Sequence, residues 1–209
     1  MRSEPSGRPS QRAEGKAKLV ICISGLSGTG KSTIGRELAR HYGLRYVSGG
    51  EALRKKAREL GYRPSGPGWW EGPEGMKFME ERLKNPRFDR EVDEWLMSLA
   101  EEGDVVIDSW TIAQLFKRSS CLKVCLYGSE EVRARRVAGR DGVSPEEALR
   151  ALRKKEEKTR QIYERIYGFD LWDLSPYDLI VDTDNLSPDE VIRAVKAVVE
   201  SMVARGEFR

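Results

Sequence analysis

The feature that most constrains this chain is a glycine-rich run of the pattern G-x-x-x-x-G-K-S, which consists of Gly25-Leu26-Ser27-Gly28-Thr29-Gly30-Lys31-Ser32. Glycines let the backbone turn closely around an anion with successive N–H groups pointing inward. An apolar run at 18–23 precedes the motif, and a helix is predicted from Lys31 to Tyr42, so its N-terminus adds a partial positive charge. The run therefore predicts a binding site for the phosphates of a nucleoside triphosphate. The alternative, an ordinary glycine-rich turn, does not account for the flanking strand and helix.

Individual side chains of this motif have expected roles. Lys31 is expected to reach the β- and γ-phosphates, the Ser32 hydroxyl to ligate magnesium, and Thr33 to approach the α-phosphate. A second acid should face the same metal from the end of another strand, and Asp108 follows the apolar run Val105-Val106-Ile107. Asp108 could instead cap the segment that follows the strand. The motif thus predicts a nucleoside triphosphate and Mg²⁺ as ligands.

Short apolar runs alternate with segments of helical periodicity along the chain. The runs typical of buried parallel strands cover 18–23, 44–47, 104–108, 122–127 and 179–181. Helices are predicted over 31–42, 51–60, 88–100, 129–138, 145–167 and 188–202, while Pro and Gly make 62–75 a loop-rich insert. The alternation predicts an α/β fold with three layers, in which a five-stranded parallel sheet is covered by helices on both faces.

The composition suits one compact domain after a polar tail. Residues 1–16 are rich in Ser, Pro, Gly, Arg and Glu and are predicted to be disordered, which leaves 17–209 as a single domain. A net charge of only +3, from 37 basic and 34 acidic residues, disfavours a dedicated nucleic-acid binder. The chain has no apolar run long enough for a membrane span and no signal-peptide stretch, and its three cysteines are expected to be small buried hydrophobes. We therefore expect a cytoplasmic protein without a membrane partner.

Basic residues concentrate on two successive predicted helices. The first helix carries Arg133, Arg135, Arg136 and Arg140, and the second carries Arg150, Arg153, Lys154, Lys155, Lys158 and Arg160. Such helices could close over a triphosphate and exclude water, or they could form a solvated hairpin bridged by interleaved glutamates. The single histidine, His41, argues against imidazole acid–base chemistry, whereas phosphoryl transfer depends on positioning and charge neutralisation.

These motifs together resemble those of nucleoside monophosphate kinases, a family within the P-loop NTPases. The glycine-rich run, 48–54 and 136–140 follow the order and spacing of that family, while 166–170 and 175–183 look like archaeal-type cytidylate kinases. The resemblance covers about 18–203. It implies a core, an acceptor-binding insert at about 48–100 and a helical lid at about 136–160, in a monomer that transfers a phosphoryl group from ATP to CMP or dCMP.

The resemblance also implies roles for individual residues. Arg54 matches the family arginine that grips the acceptor phosphate, a contact that suits the guanidinium fork. Asp89 and Arg90 resemble an acid–arginine pair of the acceptor domain. The arginines that would contact the donor or neutralise the charge of transfer match Arg136, Arg140, Arg153 and Arg160.

The departures from the family pattern fall on the acceptor side. The sequence Asp108-Ser109-Trp110 stands where the archaeal enzymes have Glu-Gly-Arg, so an indole replaces an arginine at a position expected to contact substrate. Trp69 and Trp70 could form an aromatic platform with Trp110, or they could fill the small core of the insert. A different small-molecule or RNA acceptor therefore stays open. A GTPase switch would carry an Asn-Lys-x-Asp stretch, which the sequence lacks.

Overall fold

A computed structural model describes residues 18–117 and 120–208, so the tail predicted at 1–16 lies outside the described residues. Its centre is a five-stranded sheet in the order β2-β3-β1-β4-β5, and every neighbouring pair is parallel. The strands are β1 (Val20–Ser24), β2 (Arg45–Ser48), β3 (Val105–Asp108), β4 (Leu122–Tyr127) and β5 (Leu179–Asp182). The predicted parallel α/β fold is confirmed.

Helices cover both faces of this sheet. They are α1 (Lys31–Tyr42), α2 (Gly49–Glu59), α3 (Pro73–Lys84), α4 (Arg87–Glu102), α5 (Ile112–Leu115), α6 (Glu130–Asp141), α7 (Pro145–Tyr167) and α8 (Pro188–Ala204). The N-cap residues of α7 and α8 are Ser144 and Ser187, each of which forms a capping box with the glutamate three residues later. Both starts agree with the sequence prediction.

The central strand is buried on both faces, which explains its uninterrupted apolar run. Ile21 and Ile23 pack with residues of α1 and α8 in one cluster. Val20 and Cys22 pack on the opposite face with residues of α2, α4 and α5. Three layers with two cores result, and the side chains of all three cysteines are buried, as predicted.

The segment predicted as a loop-rich insert contains more helix than the sequence indicated. A 3-10 turn covers Pro67–Glu71, and α3 starts at Pro73, inside the stretch 62–75. The apolar side chains of α3 that become buried, Met76, Phe78 and Met79, all come after that stretch, so the dense Pro and Gly signal hid the start of the helix. None of the helices in the described ranges is both long and apolar enough to span a bilayer.

Candidate active site

The glycine-rich run forms a tight loop between β1 and α1. Gly25, Gly28 and Gly30 have positive φ angles of 137°, 84° and 93°, and a Cβ atom on Gly25 would lie 2.2 Å from the Leu126 carbonyl oxygen. Only glycine fits there without strain. The Lys31 ammonium donates to the Leu26 carbonyl oxygen at 2.9 Å, which keeps it inside the loop. Burial lowers the pKa of Lys31 to about 8, although the nearby Asp108 carboxylate opposes the shift.

The hydroxyl and the carboxylate that were expected to hold the metal meet beside this loop. Ser32 Oγ donates to Asp108 Oδ2 at 2.8 Å, and Asp108 is 5% exposed. They meet because β1 and β3 are adjacent and parallel, with Ile23 opposite Asp108, so both strands end at the same edge. The N–H groups of Ser109 and Thr111 donate to other acceptors, so the described structure does not show Asp108 capping the following segment.

Tyr46 is a third group at this pair that the sequence analysis missed. Its hydroxyl donates to Asp108 Oδ2 at 2.9 Å, and burial beside that carboxylate raises the pKa of Tyr46, so the hydroxyl stays protonated. Gly35 makes room for the ring, since a Cβ atom there would lie 2.7 Å from Tyr46 Cε2. The sequence offered only a weak signal for Tyr46: it lies two residues from Ser48 on β2, so the two side chains are on the same face of the sheet.

A cavity of about 710 Å³ extends from the loop toward α3, α4 and α7. That volume suits a small-molecule site. Its far wall, here called the helical end, is formed by Trp70, Arg82, Asp89, Asp93 and Tyr163. The cavity thus brings residues of the loop together with side chains from distant parts of the sequence.

A buried ion pair dominates the helical end. Arg82 binds both oxygens of Asp89, at 3.1 and 2.6 Å, and also donates to the Tyr163 hydroxyl at 3.1 Å. Asp89 is 1% exposed and lines the cavity, whereas the next residue, Arg90, is exposed and does not line it. One step along a helix turns a side chain by about 100°, and here that step directs Arg90 away from the cavity that Asp89 lines. The acid–arginine pair is therefore Asp89–Arg82 rather than Asp89–Arg90.

Asp93 is a second carboxyl at the helical end that the sequence analysis did not select. It accepts hydrogen bonds from Thr111 Oγ1 and the Tyr167 hydroxyl, both at 2.6 Å. Burial raises the pKa of Asp93 to about 6, and the two hydroxyl donors oppose the shift. Its spacing of four from Asp89 on α4 was the signal that could have found it.

Arg54 and the tryptophans surround the middle of the cavity. Arg54 binds Glu51 at 2.9 Å and the carbonyl oxygens of Gly66 and Pro67 at 3.0 and 3.1 Å. Trp70 and Trp110 line the cavity, whereas Trp69 is 7% exposed and belongs to the core on the α2 and α4 face. Of the two alternatives for these residues, core filling holds for Trp69, while Trp70 lines the cavity with its ring edge to face against Trp69 at 4.9 Å.

The four arginines predicted for transfer are divided by the structure. Arg136 lines the cavity and donates to Thr183 Oγ1 at 2.9 Å, and Arg140 lines it while paired with Asp141 at 2.6 Å. Arg153 and Arg160 lie outside the lining: Arg153 pairs with Glu130 at 2.6 Å on the surface, and Arg160 pairs with Glu157 and Glu164. These surface pairs correspond to the salt-bridged hairpin that the sequence left open.

Two further basic residues of α6 and α7 contact the loop directly. Arg133, buried against Glu156, donates to the Ser27 carbonyl oxygen at 3.1 Å. Lys155 donates to Ser27 Oγ at 2.8 Å and to Glu71 Oε1 at 2.7 Å. Both belong to the basic clusters of the sequence, but nothing local distinguishes them from their neighbours.

A protein-family model described as the cytidylate kinase-like family matches residues 20–185, which is most of the chain. The chain belongs to the cytidylate kinase-like family. Cytidylate kinase of Pyrococcus horikoshii is 38% identical over 92% of this chain and 94% of its own length. Cytidylate kinase of Methanopyrus kandleri is 37% identical over 90% of this chain and 96% of its own. The resemblance stated from the motifs is confirmed.

Solved structures support the same fold for this family member. Shikimate kinase from Bacteroides thetaiotaomicron superposes with a TM-score of 0.53 at 18% identity, covering 88% of this chain and 99% of that chain. At such low identity the likeness extends to the fold alone. The three-layer α/β/α architecture predicted from the sequence is thereby confirmed.

Proposed function

We propose that this chain transfers the γ-phosphoryl group of ATP to a nucleoside monophosphate, with CMP or dCMP as the preferred acceptor. One observation carries the proposal: one cavity is lined both by the glycine-rich loop 25–32, here called the phosphate loop, and by the helical end. Donor and acceptor could therefore meet inside it. Membership in the cytidylate kinase-like family, whose archaeal members are named cytidylate kinase, supports cytidine nucleotides as the first candidates.

The donor half of this proposal rests on the loop. Its N–H groups and Lys31 would bind the β- and γ-phosphates, and Arg136 and Arg140 would approach from α6. Ser32 and Asp108 would hold Mg²⁺, and their oxygen atoms fit an ion that prefers hard oxygen ligands and completes its shell with phosphates and water. Bound magnesium would neutralise charge on the β- and γ-phosphate oxygens.

The acceptor half rests on Arg54 and the helical end. Arg54 would bind the acceptor phosphate, and the carboxyls and arginine beyond Trp70 would contact the base. An ionised oxygen of that phosphate attacks the γ-phosphorus, a new P–O bond forms, and the bond to the bridging oxygen breaks to release ADP. Because the attacking oxygen carries no proton, the step requires no general base. Catalysis would depend on alignment and on cations near the phosphates.

Turnover measurements with a panel of acceptors test the proposal. Purified protein is incubated with ATP, Mg²⁺ and each of CMP, dCMP, UMP, AMP and GMP, and the diphosphate product is quantified by chromatography. We expect the highest kcat/KM with CMP or dCMP, while reactions without acceptor give the background of ATP hydrolysis. Absence of product with every monophosphate would contradict the proposal. It would favour the other candidate, a kinase for a different acceptor, which Trp110 in place of an arginine leaves open.

A further inference from the structure

Lys155 of α7 joins the phosphate loop to the segment between α2 and α3. Its ammonium lies 2.8 Å from Ser27 Oγ and 2.7 Å from Glu71 Oε1, and its side chain is 13% exposed. Ser27 belongs to the loop that the motif assigns to the triphosphate, and Lys155 lines the cavity. The ammonium is therefore within reach of a phosphate on the loop, while a carboxylate already binds it.

Glu71 is incompletely satisfied in this arrangement. Its side chain is 7% exposed, and its Oε2 atom is buried without a hydrogen-bond partner in the described part of the chain. The Arg140 guanidinium lies 3.6 Å from Oε2, so the carboxylate faces two cations that both line the cavity. A buried carboxylate in that position neutralises cations that a triphosphate would otherwise use.

The turn that ends at Glu71 is hydrogen-bonded to Arg54, which also lines the cavity. Glu71 is the last residue of the 3-10 turn Pro67–Glu71. Arg54 donates to the carbonyl oxygens of Gly66 and Pro67, at the start of that turn, at 3.0 and 3.1 Å. The turn also lies against α6, since a Cβ atom on Gly68 would lie 2.9 Å from the Asp141 carboxylate. A short, closely packed segment thus connects Arg54 to the two cations.

We propose that Glu71 is a positioning residue that competes with the donor triphosphate for Lys155, and that Arg54 sets the strength of this competition by holding the turn. The inference rests on the proposed function, because it takes the loop as the donor site and Arg54 as the acceptor contact. An acceptor phosphate that draws Arg54 away from the two carbonyl groups loosens the turn. Lys155 then exchanges Glu71 for a donor phosphate, so the donor is bound fully only when the acceptor is present.

Donor binding without any acceptor tests this directly. The dissociation constant of a non-hydrolysable ATP analogue with Mg²⁺ is measured by titration calorimetry for wild type, Glu71→Gln, Arg54→Met and Lys155→Gln. We expect Glu71→Gln to bind about fivefold more tightly, at the low end of couplings between sites, and Arg54→Met to bind about twofold more tightly. Lys155→Gln should bind more weakly, and the double variant Glu71→Gln/Lys155→Gln should lose the gain.

Glu80→Gln is the matched control. Glu80 of α3 also forms an ion pair with a lysine of α7, Lys158, at 3.2 Å, but this pair does not line the cavity. The control should leave donor affinity unchanged. A purely structural role for Glu71 would lower the thermal midpoint and weaken binding, opposite in sign to the expectation. Unchanged or weaker binding by Glu71→Gln overturns the competition, and unchanged binding by Arg54→Met overturns the role of Arg54. Neither result depends on turnover, so failure of the proposed function is detected separately by the acceptor panel.

Discussion

The phosphate loop and the helical end of the cavity are built in different ways. The loop is one continuous segment whose shape depends on glycine backbone angles and whose Lys31 ammonium bonds back to a carbonyl oxygen five residues earlier. The helical end takes Arg82 from α3, Asp89 and Asp93 from α4 and Tyr163 from α7, and side chains there bind one another.

Because of this difference, we expect substitutions in the two regions to have different effects on ligand binding and on stability. Groups of the loop that face the cavity can be removed while the surrounding core of apolar residues stays packed. At the helical end, buried polar groups bind one another across three helices, and removal of one partner leaves another buried and unpaired. Substitutions at the loop should therefore affect activity alone, whereas those at the helical end should affect activity and folding together.

The largest expected effect is at the loop. Lys31→Ala should lower kcat/KM for ATP on the order of 1,000-fold, because a preorganised cation next to the transferred phosphate is lost. The thermal midpoint should stay near that of wild type. Steady-state kinetics and a circular dichroism melt measure the two quantities, with the exposed Lys84→Ala as control. Activity within tenfold of wild type would be incompatible with the assigned donor site.

A smaller effect, on folding, is expected at the helical end. Asp89→Asn should lower the free energy of unfolding by about 3 kcal/mol, because Arg82 would keep its charge in a buried position without a carboxylate. Urea denaturation measures the change. Glu91→Gln, on the same helix but paired at the surface, should change it by less than about 1 kcal/mol. If Asp89→Asn and Glu91→Gln lowered the free energy of unfolding equally, the buried pair would have no special role in folding. The helical end would then not differ from the phosphate loop in the way described.

The smallest expected effect is the pH dependence introduced by Asp93. Its pKa in the folded protein, about 6, lies above the value of 3.8 for an unperturbed aspartate. The bound proton therefore stabilises the fold in acid, and this contribution is lost as the pH rises through 6. Relative to Asp93→Asn, wild type should lose about 2 kcal/mol of unfolding free energy between about pH 4 and pH 7. Denaturation curves at several pH values measure this loss. Parallel profiles of unfolding free energy against pH for wild type and Asp93→Asn would show that the pKa of Asp93 is not raised.

Elements with local signals were predicted well. The ranges of α1 and α7 and of β4 agree with the structure, since capping residues and apolar periodicity lie within each segment. Helix α3 was not predicted, because its start lies among prolines and glycines and its buried face depends on contact with other helices. The same limit applies to Trp69 and Trp70, whose division between core and cavity follows from the packing of the turn.

The sequence by itself determined the phosphate loop, the Ser32–Asp108 pair and the family, because a motif fixes backbone shape over a few residues and strand ends must meet at one edge of a parallel sheet. Only the tertiary structure decided that Asp89 pairs with Arg82 rather than with Arg90, and that Lys155, unlike Arg153, contacts the loop. Helical periodicity gives the face on which a side chain lies. The partner across that face depends on how separate helices pack, and no local stretch of sequence contains that information.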